Sequence, residues 1–249
     1  MTKEEDDKII DELLDYRNKH LWENLINVCD IKIDVGDYNN YGVFSKGETH
    51  LIYIPKNQLC ISSFTHELLH IYLETKSIRI GNLMLIYIKE KKLAKIVLTE
   101  GLLEHIGNCL AHIKMLPIFE QMGFDKSEFL SDYNVNKLEA KEIKDLKGNF
   151  KKKTWYGRTY YDKTNIDLYI GKFFAANACP NSNYNYTDGL SELKLINSGL
   201  YGILNEFLFK WINFDIKKID DAIQFADYSL MQFEFVDSLE NWFKNNRVK

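Results

Sequence analysis

The chain has 249 residues, 45% of them hydrophobic and 27% charged, with a formal net charge of −4. This composition excludes a wholly disordered protein, and the acidic balance argues against a general nucleic-acid binder and against an anionic membrane partner. The four cysteines lie far apart and form no C-x-x-C pair, so we expect neither a disulfide framework nor a cysteine-based zinc site.

The N-terminal segment MTKEEDDKII is polar and acidic, unlike the positive and apolar regions of a secretory signal peptide. No apolar run approaches the roughly 18–20 residues that a spanning helix needs. We therefore expect a cytoplasmic protein without a membrane segment.

Hydrophobic periodicity predicts the elements of the first half in chain order. A helix is expected over 6–28, followed by strands over 31–35 and 49–54. Glycine and asparagine residues between the two strands indicate turns. From Ser62 or Ser63, either of which is a plausible N-cap, the period becomes helical again until about Gly81.

The second half has the spacing of helices almost throughout. One helix is expected over 93–115, ending before Pro117, and the irregular aromatic stretch 149–162 is the one clear break. The other predicted helices cover 136–147, 164–178, 188–214 and 219 to the C-terminus. We therefore expect an α+β fold, with a catalytic region over 1–123 and a mainly helical region over 124–249 that completes the cleft.

The segment HELLH at positions 66–70 is an H-E-x-x-H motif. Residues four apart on an α-helix differ by about 40° around the axis and lie about 6 Å apart along it. His66 and His70 can therefore bind one zinc ion together. Glu67 lies beside them, where a general base for a zinc-bound water would stand.

A catalytic zinc ion needs a third protein ligand and an open position. Glu100 and Glu104, in the segment LTEGLLEH, are again four apart on a predicted helix. One assignment makes Glu100 the ligand and Glu104 the carboxylate that orients a ligating histidine. The reverse assignment makes Glu104 the ligand, supported by Asn108.

The HELLH motif followed by EGLLEH at 100–105 resembles the gluzincin metallopeptidases. The resemblance implies a zincin-like catalytic half with one Zn²⁺ per chain. It also implies His66, His70 and Glu100 as metal ligands and Glu67 as the catalytic base.

A second likeness, carried by Glu104, Asn108, Ala111 and Pro117, is to the ImmA/IrrE-type peptidases, and it implies Glu104 as the ligand. Together the two resemblances cover about 49–117.

We therefore predict a zinc metallopeptidase that hydrolyses peptide bonds with Glu67 as general base. The alternative is a non-catalytic zincin-like module that binds or senses a peptide or partner. We expect a peptide or protein substrate and no nucleic acid, and a regulatory protein partner is one hypothesis for how proteolysis is restrained.

Three further expectations concern the cleft. In such peptidases an edge strand before the motif helix binds substrate by strand addition, and 49–54 is placed for that role; the alternative is an ordinary strand of the sheet. His50 on this strand is expected at the surface. Candidates for stabilising an oxyanion are His105 and His112, seven residues apart on one predicted helix, and the irregular-segment residues Tyr156, Arg158, Tyr160 and Tyr161. The favoured alternative for each is a side chain that packs among aromatic neighbours.

Overall fold

The fold is described from a computed structural model that covers residues 3–153, 156–219 and 222–248. The chain forms two compact units. The first unit comprises residues 1–78 and 114–134, and the second comprises residues 79–113 and 135–249. The fold is α+β, as expected. The chain crosses between its two units three times.

The first unit contains three strands and a set of helices. Its elements are α1 (Lys3–Leu13), α2 (Lys19–Ile26), β1 (Asp30–Gly36), β2 (Gly42–Lys46), β3 (Thr49–Pro55) and α3 (Ile61–Thr75). The sheet order is β1-β3-β2, with β1 parallel and β2 antiparallel to β3. Side chains alternate along β3, and Ile52 and Ile54 join Phe64, Leu68 and Ile71 of α3 in one buried core.

Both predicted strands and the motif helix are confirmed, while three further details of the first unit differ. The helix expected over 6–28 is divided into α1 and α2. Asn18 stabilises the connection between them, because its Nδ2 donates a hydrogen bond to the Leu13 carbonyl over 2.8 Å. Strand β2 was missed because its glycine and polar residues look like a turn. Helix α3 ends at Thr75, well before Gly81.

The second unit is mainly helical. Its elements are α4 (Ile80–Ile88), α5 (Ala94–Val97), most of α6 (Glu100–Gln121), α7 (Ala140–Asn149), β4 (Lys151–Lys153), β5 (Thr159–Tyr161), α8 (Lys163–Ala178), α9 (Thr187–Ile196), α10 (Ser198–Asn213) and α11 (Ala222–Asn245). Strands β4 and β5 form an antiparallel pair inside the stretch predicted as irregular. The helix predicted over 164–178 is confirmed by α8.

The other predicted helices of the second half have different bounds. The helix over 136–147 corresponds to α7, the helix from 219 onward to α11, and the helix over 93–115 is divided into α5 and α6. The helix over 188–214 is divided into α9 and α10 at Asn197, whose side chain caps α10 by accepting from the Leu200 backbone N–H over 2.8 Å. Helix α6 does not stop before Pro117 but contains it. A proline inside a helix removes one backbone hydrogen bond, and the buried neighbours Met115 and Phe119 keep the helix packed on both sides of it.

Helix α6 belongs to both units, because the division between them falls after Ile113. The sequence predicts a single division near residue 123, whereas residues 114–134 pack with the first unit. The physical reason is an aromatic cluster that reaches α3, where the Phe129 ring lies 4.7 Å from the ring of His66. The Phe119 ring stacks on Phe124, with centroids 4.7 Å apart, and meets Phe129 at 5.2 Å.

Candidate functional site

The motif histidines lie side by side on α3. Their Nε2 atoms are 3.1 Å apart, and both rings are partly buried. Each lies about 200° around the helix from a core residue two positions earlier, His66 from Phe64 and His70 from Leu68. The pair therefore lies on the side of α3 opposite the stripe that packs on the sheet.

The start of α3 places the motif one and a half turns into the helix. Cys60 is the N-cap residue, rather than Ser62 or Ser63 as predicted. Its sulfur lies 3.2 Å from the Ser62 hydroxyl and accepts a hydrogen bond from the Ser63 hydroxyl over 3.3 Å. These hydroxyl groups hold the pKa of Cys60 below its usual value despite a burial penalty that acts to raise it.

Glu67 is buried between two ionisable neighbours on the same helix. Its side chain is only 7% exposed, and burial raises its pKa to about 7. Burial acts in the opposite sense on the neighbouring base and lowers the pKa of His70 to about 4. Both shifts favour neutral forms, since transfer away from water penalises the charged state.

Helix α3 is held in place by contacts on two sides of the motif. The Thr65 hydroxyl accepts a hydrogen bond from Asn18 Nδ2 over 2.9 Å. On the histidine side, the ring of Phe129 lies 4.7 Å from the ring of His66. Fixed rings on neighbouring segments restrict the imidazoles to few orientations, which favours a preorganised site.

His112 is expected from the sequence as a donor to an oxyanion. It is buried in the middle of α6, in the part of that helix that belongs to the second unit. Its role as a donor stays a prediction.

The predicted third ligands lie elsewhere on α6. Glu100 and Glu104 are both exposed, in the part of α6 that belongs to the second unit. His105 is also exposed, and its Nε2 lies 3.2 Å from the Gly171 carbonyl oxygen in the second unit. The structure thus brings together His66 and His70, while the assignment of a carboxylate ligand stays a prediction.

Two expectations about the sheet are wrong. Strand β3 is the central strand, paired on both sides, so 49–54 cannot accept a substrate strand. His50 is only 2% exposed, because it shares the inward face of β3 with Ile52. Its Nδ1 lies 2.8 Å from the Ser45 hydroxyl on β2.

The residues of the irregular segment have their own surroundings in the second unit. The Tyr161 ring meets Trp242 at 5.1 Å and Phe150 at 5.5 Å, as expected of packing aromatics. The Arg158 guanidinium lies over the ring of the exposed Tyr156 at 5.5 Å. Their role as oxyanion donors stays a prediction.

Comparison with known proteins assigns this chain to no family. No family model, curated protein or solved structure matches the chain. None of the helices in the described ranges combines the length and the apolar character that crossing a bilayer requires.

Proposed function

We propose that this protein is a zinc-dependent peptidase whose catalytic helix is α3. The observation that carries the proposal is the arrangement of three neighbouring side chains on that helix. The two Nε2 atoms of His66 and His70 lie 3.1 Å apart, with the buried carboxyl group of Glu67 next to them in the sequence.

The chemistry of the donors fits a zinc ion. Two nitrogens that each lie about 2.0–2.1 Å from a tetrahedral zinc ion are about 3.3 Å apart, close to the observed separation of the histidine Nε2 atoms. His66 and His70 would hold the ion through these atoms. A bound zinc ion would supply Lewis acidity, polarising the scissile carbonyl and making an adjacent water easier to deprotonate.

Glu67 is suited to move a proton in this reaction. A carboxylate accepts a proton from water on one oxygen and can then donate it to the departing amine nitrogen. Because Glu67 is buried, little bulk water competes for that proton. The rigid helix also keeps its carboxyl group in one position relative to the histidine pair.

The test is proteolysis of a diverse peptide mixture by purified Glu67→Gln protein, read out by mass spectrometry. We expect cleavage to fall by about 10²–10⁴-fold, the range for loss of a general base, while zinc content is unchanged. Glu74→Gln, seven residues later on the same helix, is the matched control and should cleave like the wild type.

Two results would contradict the proposal. Equal cleavage by wild type and Glu67→Gln would show that the carboxylate takes no part in the reaction. Zinc-loaded wild type that cleaves no peptide would instead favour the alternative, a metal-containing module that binds or senses a peptide.

A further inference from the structure

We infer that Phe129 is a positioning residue of the proposed zinc site, because its ring holds the His66 imidazole in the orientation that binds the ion. The inference rests on the proposed function for the ion itself. Phe129, His66 and His70 all belong to the first unit. Phe129 offers no ligand atom, so its effect on the metal acts through His66.

The side-chain torsions of His66 do not by themselves fix its imidazole. The terminal torsion of a histidine has a broad distribution, so an imidazole without close neighbours turns about its Cβ–Cγ bond. A half-turn about this bond puts Cε1 where Nε2 was, and a carbon atom cannot bind zinc. The ligand therefore needs neighbours that hold the ring.

Two rings enclose the His66 imidazole. The centroid of the Phe129 ring lies 4.7 Å from that of His66, with the two planes inclined by 57°. The His70 ring lies 4.9 Å away, inclined by 66°. The His66 Nδ1 atom is shielded from solvent, whereas its Nε2 lies 3.1 Å from the Nε2 of His70. Nε2 is thus the His66 nitrogen that is placed to share a metal ion with His70.

The backbone around Phe129 fixes the position of its ring. The Phe129 N–H donates to the Lys126 carbonyl over 3.2 Å, at the end of a 3₁₀ turn over Lys126–Glu128. Asp125 caps the start of this turn by accepting from the Ser127 N–H over 2.8 Å. Phe129 therefore leaves a short segment whose conformation is set by local hydrogen bonds.

An aromatic cluster supports the Phe129 ring from within the same unit. Phe129 is only 2% exposed, and its ring meets the fully buried Phe119 ring at 5.2 Å. Phe119 stacks on Phe124 at 4.7 Å, and the Arg17 guanidinium lies over the Phe124 ring at 3.9 Å. A ring packed in this way cannot easily move aside when His66 turns.

This support should strengthen metal binding in two ways. A ligand that is already oriented loses less conformational freedom when the ion binds. An apolar ring beside a ligand also limits the access of water to that side of the site. Removing the ring should therefore weaken zinc binding while both histidine ligands remain in the chain.

The first experiment measures zinc affinity of the full chain by chelator competition in a matched pair of variants. Phe129→Leu removes the ring beside His66 and should lower the affinity by about 10–100-fold, the range for loss of an outer partner of a metal ligand. Phe124→Leu makes the same change in the same cluster, at a ring that stacks on Phe119, and should keep the wild-type affinity. Equal losses in the two variants would show that the cluster only supports the fold and would overturn the inference.

Circular dichroism on each variant reports whether it has folded. If Phe129→Leu does not fold, Phe129→Met takes its place, because a methionine fills irregular space in a core and also lacks a ring. The same loss of zinc affinity is expected for it.

The second experiment uses cobalt, whose visible absorption depends on the geometry of its ligands. Cobalt-loaded Phe129→Leu should have absorption bands that are shifted from those of the wild type, whereas cobalt-loaded Phe124→Leu should have the wild-type bands. A purely structural role of Phe129 would not change these bands in a folded variant. Folded Phe129→Leu with the wild-type zinc affinity and the wild-type cobalt bands would overturn the inference.

The outcomes distinguish this inference from the proposed function. If wild type binds one zinc ion per chain and Phe129→Leu binds it equally well, the positioning role is wrong and the peptidase proposal stands. If Phe129→Leu loses affinity but the zinc-loaded wild type cleaves no peptide, the positioning role is right and the peptidase proposal falls. If reconstituted wild type binds no zinc, both fall.

Discussion

Among the residues whose burial the structure describes, each unit has one buried glutamate, and the two carboxyl groups have opposite surroundings. Glu67 in the first unit is 7% exposed and Glu240 in the second is 3% exposed. Burial raises the pKa of Glu67 to about 7. Burial also acts to raise the pKa of Glu240, but hydrogen bonds from Ala94 and Leu93 and the charge of Lys244 outweigh it, so the pKa is lowered.

The hydrogen bonds of Glu240 explain this difference. One of its oxygens accepts from the Leu93 and Ala94 backbone N–H groups over 2.9 and 2.7 Å, at the start of α5. The other oxygen lies 3.3 Å from the Lys244 ammonium. A buried carboxylate with such partners is a structural link between α11 and the start of α5. The proposed role of Glu67, by contrast, is proton transfer, and a raised pKa in a buried carboxyl group agrees with that role.

The largest effect on stability is expected from removing the structural carboxylate. Glu240→Ala leaves two backbone N–H groups without their acceptor and should lower the free energy of unfolding by about 3 kcal/mol. Urea unfolding followed by circular dichroism measures the change. Glu234→Ala, on the same helix, removes an exposed carboxylate 3.1 Å from Lys210 and should cost under about 0.5 kcal/mol; equal losses would show that Glu240 is no such link.

Asn18 is a buried polar residue of the first unit that we expect to support the fold and not the zinc site. Asn18 is fully buried; its amide donates to Leu13 and Thr65, and its oxygen accepts from the Asp15 N–H over 2.9 Å. Asn18→Ala should therefore cost about 2 kcal/mol of stability and leave zinc affinity unchanged. The exposed Asn24→Ala is the control, and loss of zinc from folded Asn18→Ala would contradict this assignment.

The lowered pKa of Glu240 predicts that the protein loses stability in acid. Since the pKa of Glu240 is lower in the folded state, its stabilisation is present above the unfolded pKa of about 4.5 and is lost as pH falls through the folded value. Metal-free wild type should thus lose stability below about pH 4.5, and Glu240→Gln should lose less over that interval. Unfolding curves between pH 3 and 6 test this, and parallel losses in both proteins would contradict it.

Local periodicity was sufficient to predict much of the first unit. The strands around Ile33 and Ile52 and the helix that bears His66 have patterns that a short window reveals. Strand β2 has no such pattern in its sequence, because Gly42 and Ser45 become strand residues only through pairing with Tyr53 and His50 on β3. Tertiary pairing decided the conformation there.

The motif histidines show the same limit. His66 and His70 are four residues apart, so helix geometry alone predicts that they meet. The ring of Phe129 against His66 follows from no spacing rule, because these two residues are far apart in the chain. That contact forms only because residues 114–134 pack with the first unit.

The smallest effect, and the one of opposite sign, is expected at Glu67. In zinc-free protein at pH 8, Glu67→Gln replaces a buried charge by a neutral amide of the same shape, so stability should rise by about 1 kcal/mol or less. Glu240→Gln under the same conditions should lower it, because the amide supports the Leu93 and Ala94 donors less strongly. Urea unfolding of the two variants measures both signs. A loss at Glu67 as large as that at Glu240 would mean that both carboxylates hold the fold together, and the distinction between a structural and a catalytic glutamate would fail.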